Sequence, residues 1–200
     1  MIIKMEITDR IKELAKKNKY EKVTFGKEYV LPTSKFWAGE KQFQNFIGNI
    51  GELVFEQFLL NHGIPYEKDV LYLNRGDYFD FKIHGKTLDT KTGRFKSGSE
   101  IPQTPNYCFF IGEHQLKKEV DYYAHVQLDA EIQNAFIVGF LPREDTKKYE
   151  VVYTEAMKGA AVAIPLSNLI AMEFFKQHFK PRGISAKLEE KKPLRLEDWL

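Results

Sequence analysis

The order of elements along the 200 residues predicts an α/β (α+β) domain: a central mixed β-sheet flanked by helices. Three observations carry that expectation. Between Lys41 and Asn61 apolar residues recur at intervals of three and four, the period of a helix buried along one stripe. From residue 70 to 141 short β-branched and aromatic runs alternate with turn residues, as strands do. No repeat, low-complexity tract or long linker divides the chain, and 43% apolar and 14% aromatic residues are enough for one substantial core.

Taken in order, residues 1–40 read as an N-terminal helix and a wrapping segment. Asp9–Lys17 has Ile11, Leu14 and Ala15 on one stripe, and 19–39 lacks periodicity. Residues 41–141 form the core. Its helix carries Phe43, Phe46, Ile47, Ile50, Leu53, Val54 and Phe58 inward and stops at His62-Gly63. Strands are expected at 70–73, 78–83, 87–92, 107–112, 121–127 and 135–141, with an exposed loop over 94–106. In the C-terminal extension, 142–200, the sequence predicts strands at 151–153 and 160–164 and a helix over 167–179. A charged tail follows, whose Leu194, Leu196, Trp199 and Leu200 could pack on the body or a partner.

A net charge of +2 excludes a uniformly basic nucleic-acid binder, so any attraction to phosphates must be local. The single cysteine, Cys108, excludes an internal disulfide and a cysteine-based metal cluster, and its apolar neighbours predict a buried, inert thiol. His62, His84, His114, His125 and His178 lack metal-ligand spacing. Without a signal-peptide core or a long apolar span, the expected setting is the cytoplasm, with no membrane partner.

Chemistry concentrates in Gly76–Lys91, read as two short strands joined at Gly85-Lys86. Side chains alternate along a strand, so Asp89 and Lys91 share a face while Leu88 and Thr90 point away, and folding back brings Asp80 near. Two carboxylates suit a hard divalent cation, and a neighbouring lysine can bind an anion or prepare a water. Asp77 fits a turn and is the fallback for Asp80. Arg94 and Lys96 follow the strand where phosphate contacts would be useful, and Lys86 lies in the turn, exposed to solvent and to DNA. Tyr122, Tyr123 and Gln127 would reach DNA only from an open strand face; a core-strand reading suits them better.

Asp80, the eight residues after it, and Asp89-Thr90-Lys91 resemble the core hairpin of the PD-(D/E)XK nuclease superfamily, with Phe79 where the motif name has proline. Gly51-Glu52 on the preceding helix matches the family's glutamate beside a glycine, and Glu56, one turn on, is its rival. The likeness covers about residues 41–127. It implies a restriction-endonuclease-like fold and a Mg²⁺-dependent DNA endonuclease, with Mn²⁺ able to substitute. By that resemblance Asp80, Asp89 and the Thr90 carbonyl would hold the cation. Glu52 would bind a second ion or a metal-bound water, and Lys91 would orient the attacking water. A restriction-like member would act as a homodimer; a structure-specific or repair nuclease would read DNA shape. The alternative is a non-catalytic nucleic-acid-binding module that retains the fold.

Overall fold

The computed structural model describes residues 1–16, 35–68, 79–95, 107–113, 115–154 and 159–180, and side chains from residue 43 onward in the long helix. Strand β1 (Ile3–Glu6) precedes a helix, α1, at residues 9–16; α2 spans Lys35–Asn61. Then come β2 (Phe81–Ile83), β3 (Lys86–Arg94), β4 (Cys108–Gly112), β5 (Tyr122–Leu128), β6 (Asn134–Pro142), β7 (Val151–Thr154), β8 (Gly159–Pro165) and a single turn of helix, α3 (Phe175–His178). The mixed α/β class is as expected. The single central sheet is not: a five-stranded sheet ordered β1-β6-β5-β3-β2 faces a separate three-stranded sheet ordered β4-β8-β7.

Strand alternation sorts the side chains of the large sheet into two layers. On one face Leu88, Ala124, Val126 and Leu128 join Ile47, Ile50, Val54, Phe55, Phe58 and Leu59 of α2 in the main core. On the other, Tyr123 and Leu141 pack against Phe109, Ile111, Val162 and Ile164 of the small sheet. The large sheet is therefore covered on both sides, by α2 and by β4-β8-β7. This closes the face on which Tyr123 and Gln127 would have met DNA; both are buried.

Local chemistry explains the joints. Gly63, at φ +60°, ends α2 in a left-handed cap: Ile64 N–H donates to the Leu59 carbonyl (2.9 Å) and Gly63 N–H to that of Leu60 (3.1 Å). The β2–β3 turn is His84-Gly85, one residue earlier than the sequence suggested. Both residues have positive φ (48° and 80°), the backbone of a two-residue primed turn, and the register pairs Ile83 with Lys86. β3 and β5 run parallel, Asp89 beside Tyr123 and Lys91 beside His125.

Three expectations need correction. α2 begins at Lys35 rather than Lys41, and Phe43 on its presumed buried stripe is exposed. Strand β1 was not foreseen; it pairs antiparallel with β6. The helix expected over 167–179 is broken, because Ile170 exchanges both backbone hydrogen bonds with Phe140 (2.8 and 3.0 Å) and so cannot make helical ones. What remains is two 3-10 turns, Leu166–Asn168 and Met172–Phe174, and α3, with Phe175 and the following Phe179 stacked at 4.3 Å and packed on Phe140. The strand expected at 70–73, Asp77, Lys96 and the tail beyond 180 lie outside the described residues.

Candidate active site

The β2–β3 hairpin sets the acidic pair. Asp80 N–H donates to the carbonyl of Leu88 (3.0 Å), the residue that also pairs with Phe81, which holds Asp80 at the entry to β2 against β3. The Asp80 carboxylate then turns back, and its Oδ2 accepts the Thr90 N–H at 2.6 Å. Both acids are withdrawn from solvent, Asp80 at 9% exposure and Asp89 at 2%.

Burial is the largest influence on Asp80 and holds its carboxyl well above the usual range; the negative charges of Glu52 and then Asp89 push the same way. The Thr90 amide and Lys91 pull in the opposite direction without prevailing. The charges of Glu52 on α2 and of Asp89 on β3 are thus both felt at Asp80, at the entry to β2. Gly51 lets α2, and with it Glu52, approach β3: a Cβ there would lie 1.8 Å from Thr92 Oγ1. Glu56 plays a different part. It accepts the Tyr66 hydroxyl (2.6 Å) and pairs with Lys68 (2.8 Å), whereas the helix acid whose charge acts on Asp80 is Glu52.

Asp89 Oδ2 is ion-paired with Lys91 Nζ, as expected for same-face neighbours two apart on a strand. Its Oδ1 meets a second cation, Lys118 Nζ, at 3.1 Å. Asp89 also raises the Tyr123 hydroxyl, which burial above all pushes up to about 12. Lys118 was not singled out from the sequence. It lies 29 positions from Asp89, and only the parallel pairing of β3 with β5 brings its loop alongside.

Beneath Lys91 sits another feature that periodicity hides. His125 is buried, ring to ring with Phe109 at 4.7 Å, and desolvation drives its pKa down to about 4. A neutral imidazole has one donor and one acceptor. Its Nδ1 lies 3.2 Å from the Lys91 carbonyl and its Nε2 3.2 Å from the Gln127 amide. With that amide turned so that its nitrogen donates to Nε2, its oxygen accepts from the N–H groups of Arg94 (3.2 Å) and Phe95 (3.1 Å). Nδ1–H then donates to Lys91, and the exit of β3 is tied to β5 by satisfied groups.

The remaining candidates go elsewhere. Lys86 is half-buried rather than solvent-facing: its ammonium donates to the His178 carbonyl and lies 5.5 Å from the Tyr122 ring centroid and 5.8 Å from that of Phe179. Arg94 is exposed, donating to the Ala130 carbonyl (2.8 Å) and lying 5.3 Å from the Phe43 ring centroid. Cys108 is half-buried, and desolvation raises its thiol.

Among the described residues, no three or more His, Cys, Asp or Glu side chains stand together as a metal-ligand set. The hairpin offers instead two buried carboxylates, Asp80 and Asp89, with the charge of Glu52 felt at Asp80. That chemistry suits Mg²⁺, which commonly takes one or two carboxylates and keeps several waters, and a dication would relieve the repulsion felt by Asp80. No protein-family model matches this chain, and a search of curated proteins finds no significant match.

Proposed function

We propose that this protein is a Mg²⁺-dependent DNA endonuclease of the PD-(D/E)XK type with a restriction-endonuclease-like fold. The observation that carries the reading is the Asp80 carboxyl, buried at the hairpin and pushed upward by Glu52 and Asp89 together, with Lys91 on the second acid. Three acids and a lysine, from α2, the entry to β2 and β3, match the set that the PD-(D/E)XK resemblance implies for metal-assisted phosphodiester hydrolysis.

Asp80, Asp89 and the Thr90 carbonyl would hold the cation, with Glu52 supporting a bound water or a second ion. A bound Mg²⁺ polarises the phosphoryl oxygen and offsets transition-state charge, an effect of several kcal/mol in general. The Thr90 amide fixes the orientation of Asp80 by donating to it. Asp89 holds the Lys91 ammonium in place, ready to donate to the attacking water or to a phosphate oxygen. The His125–Gln127 pair anchors the Lys91 carbonyl and so fixes the strand that carries both residues.

Incubation with Mg²⁺ or Mn²⁺ and supercoiled, linear, single-stranded and branched DNA tests the proposal. Cleavage is expected, lost in Asp89→Ala and on chelation; an Asp89→Ala protein that cuts as fast as the parent would sink the assignment. Discrete plasmid fragments would point to a restriction-like enzyme, and preference for junctions or flaps to a structure-specific one.

One observation favours a non-catalytic binding module of the same fold: Asp89 is 2% exposed with a lysine on each oxygen, so cations of the chain already neutralise it. Calorimetric titration with Mg²⁺ and Mn²⁺ separates the two readings, since the module would bind neither.

A further inference from the structure

Lys118 stands at Asp89 without being part of the acid–acid–lysine motif. Its Nζ lies 3.1 Å from Asp89 Oδ1, while Lys91 occupies Oδ2. The two ammonium groups differ in access: the Lys91 side chain is 13% exposed and that of Lys118 31%. Lys118 therefore forms the solvent side of the cluster, where an anionic substrate would arrive.

Its position is set by an anchored turn. Gln115 accepts the Tyr123 hydroxyl on its carbonyl (3.1 Å), and its side chain accepts Gly112 N–H (3.2 Å). Arg143 donates to the Leu116 carbonyl (3.0 Å), and Lys118 N–H closes the turn on Gln115 (3.1 Å). Three residues on, Asp121 Oδ2 caps Thr87 on both N–H (2.7 Å) and hydroxyl (3.0 Å), pinning this loop to β3 itself. A cation on such a loop is preorganised toward whatever replaces the Asp89 oxygen as its partner.

We propose that Lys118 is a second phosphate-binding cation of this site, exchanging Asp89 Oδ1 for a phosphate oxygen of DNA when a divalent ion takes the carboxylate. The inference rests on the nuclease reading and adds a residue from outside its motif.

Binding of a short labelled duplex in Ca²⁺, a hard dication with the same oxygen preference, is followed by fluorescence anisotropy across a salt series. Each neutralised phosphate contributes about 0.9 to the log–log salt slope. Lys118→Met is expected to bind more weakly and to lose about that much slope, and Lys118→Arg to keep it. Should Lys118 serve only as a counter-ion to Asp89, Lys118→Met would shift the melting temperature and leave the slope untouched, which overturns the proposal. If the parent protein binds no duplex, the nuclease reading fails and this inference falls with it; parental binding with equal slopes in all three proteins removes this inference alone.

Discussion

A buried carboxyl crowded by two others is a liability to folding, and Asp80 is such a residue. Its pKa is raised in the folded protein, so between the unfolded value and the raised one the folded chain binds the extra proton. That term destabilises the fold as pH rises through the window. Asp80→Asn keeps an oxygen for the Thr90 amide and removes the charge. It should therefore raise stability at neutral pH by on the order of 1 kcal/mol, or roughly 2–4 °C for a chain of this size, and gain little in acid. Calorimetric melting across pH checks both the sign and its pH trend, and an Asn variant less stable at neutral pH would refute it. His125 acts with the opposite sign. Its pKa of about 4 lies below the ordinary 6.5, so the unfolded chain binds more protons between those values. Its contribution is full above that range and is lost as pH falls through it, by up to about 3 kcal/mol. Measured in the Asp80→Asn background, where the opposing term is gone, His125→Phe should flatten acid destabilisation between those limits. An unchanged profile would mean that the imidazole is not the group responsible.

At the scale of elements, the contact between α2 and β3 decides where Glu52 sits. Gly51 leaves no room: an added Cβ would meet Thr92 Oγ1 at 1.8 Å and Thr92 Cγ2 at 2.8 Å. Gly51→Ala should push the helix off the strand and cost about 1–3 kcal/mol, the usual range for overpacking. Thr92→Ala removes the two closest atoms and leaves only its Cβ, 2.9 Å away, so the double variant should recover much of the loss in denaturant melts; additive losses would show that the Thr92 side chain is not the obstruction. Gly139 makes the contrast, because a Cβ there would meet the Ile170 carbonyl at 2.6 Å, and no side-chain change relieves a backbone clash. These contacts also mark what could be read in advance. The stripe of α2, the hairpin and the strands β4 to β8 were legible because each is a local pattern: helical period, alternation, a Gly turn. That Asp80, Asp89 and Lys91 lie near one another followed from strand alternation and the hairpin, while Glu52 was singled out only through the family resemblance. Lys118 and the His125–Gln127 tie were not legible, because both depend on β3 and β5 lying side by side with residues 96–106 and the whole of β4 between them in sequence. The helix expected over 167–179 failed for a related reason: its apolar spacing serves Phe140 and α2, while Ile170 gives its backbone to β6.

For the molecule as a whole, a net charge of +2 spreads no broad basic field, and no helix among the described residues is long and apolar enough to cross a membrane. The buried charge is local: Asp80 and Asp89 lie at the β3-β2 edge of a sheet that is covered on both faces. Such a cluster is held folded against its own repulsion, so a dication bound there should stabilise the whole domain by mass action. Saturation to about 100 times the dissociation constant is worth about 2.7 kcal/mol. At roughly 2–4 °C per kcal/mol, millimolar Mg²⁺ or Mn²⁺ should raise the melting temperature by roughly 5–10 °C. Protons compete for Asp80, whose carboxyl is held above the ordinary range. The metal-induced shift should therefore shrink as pH is lowered and widen as it is raised, the reverse of the metal-free trend set by Asp80 alone. In Asp89→Ala it should largely vanish at every pH, because one of the two carboxylates is gone. Differential scanning calorimetry with and without chelator, on the parent and on Asp89→Ala, reads all three effects. A shift of equal size in Asp89→Ala, or none in the parent, would place the cation elsewhere and leave the buried acids as a strained structural cluster.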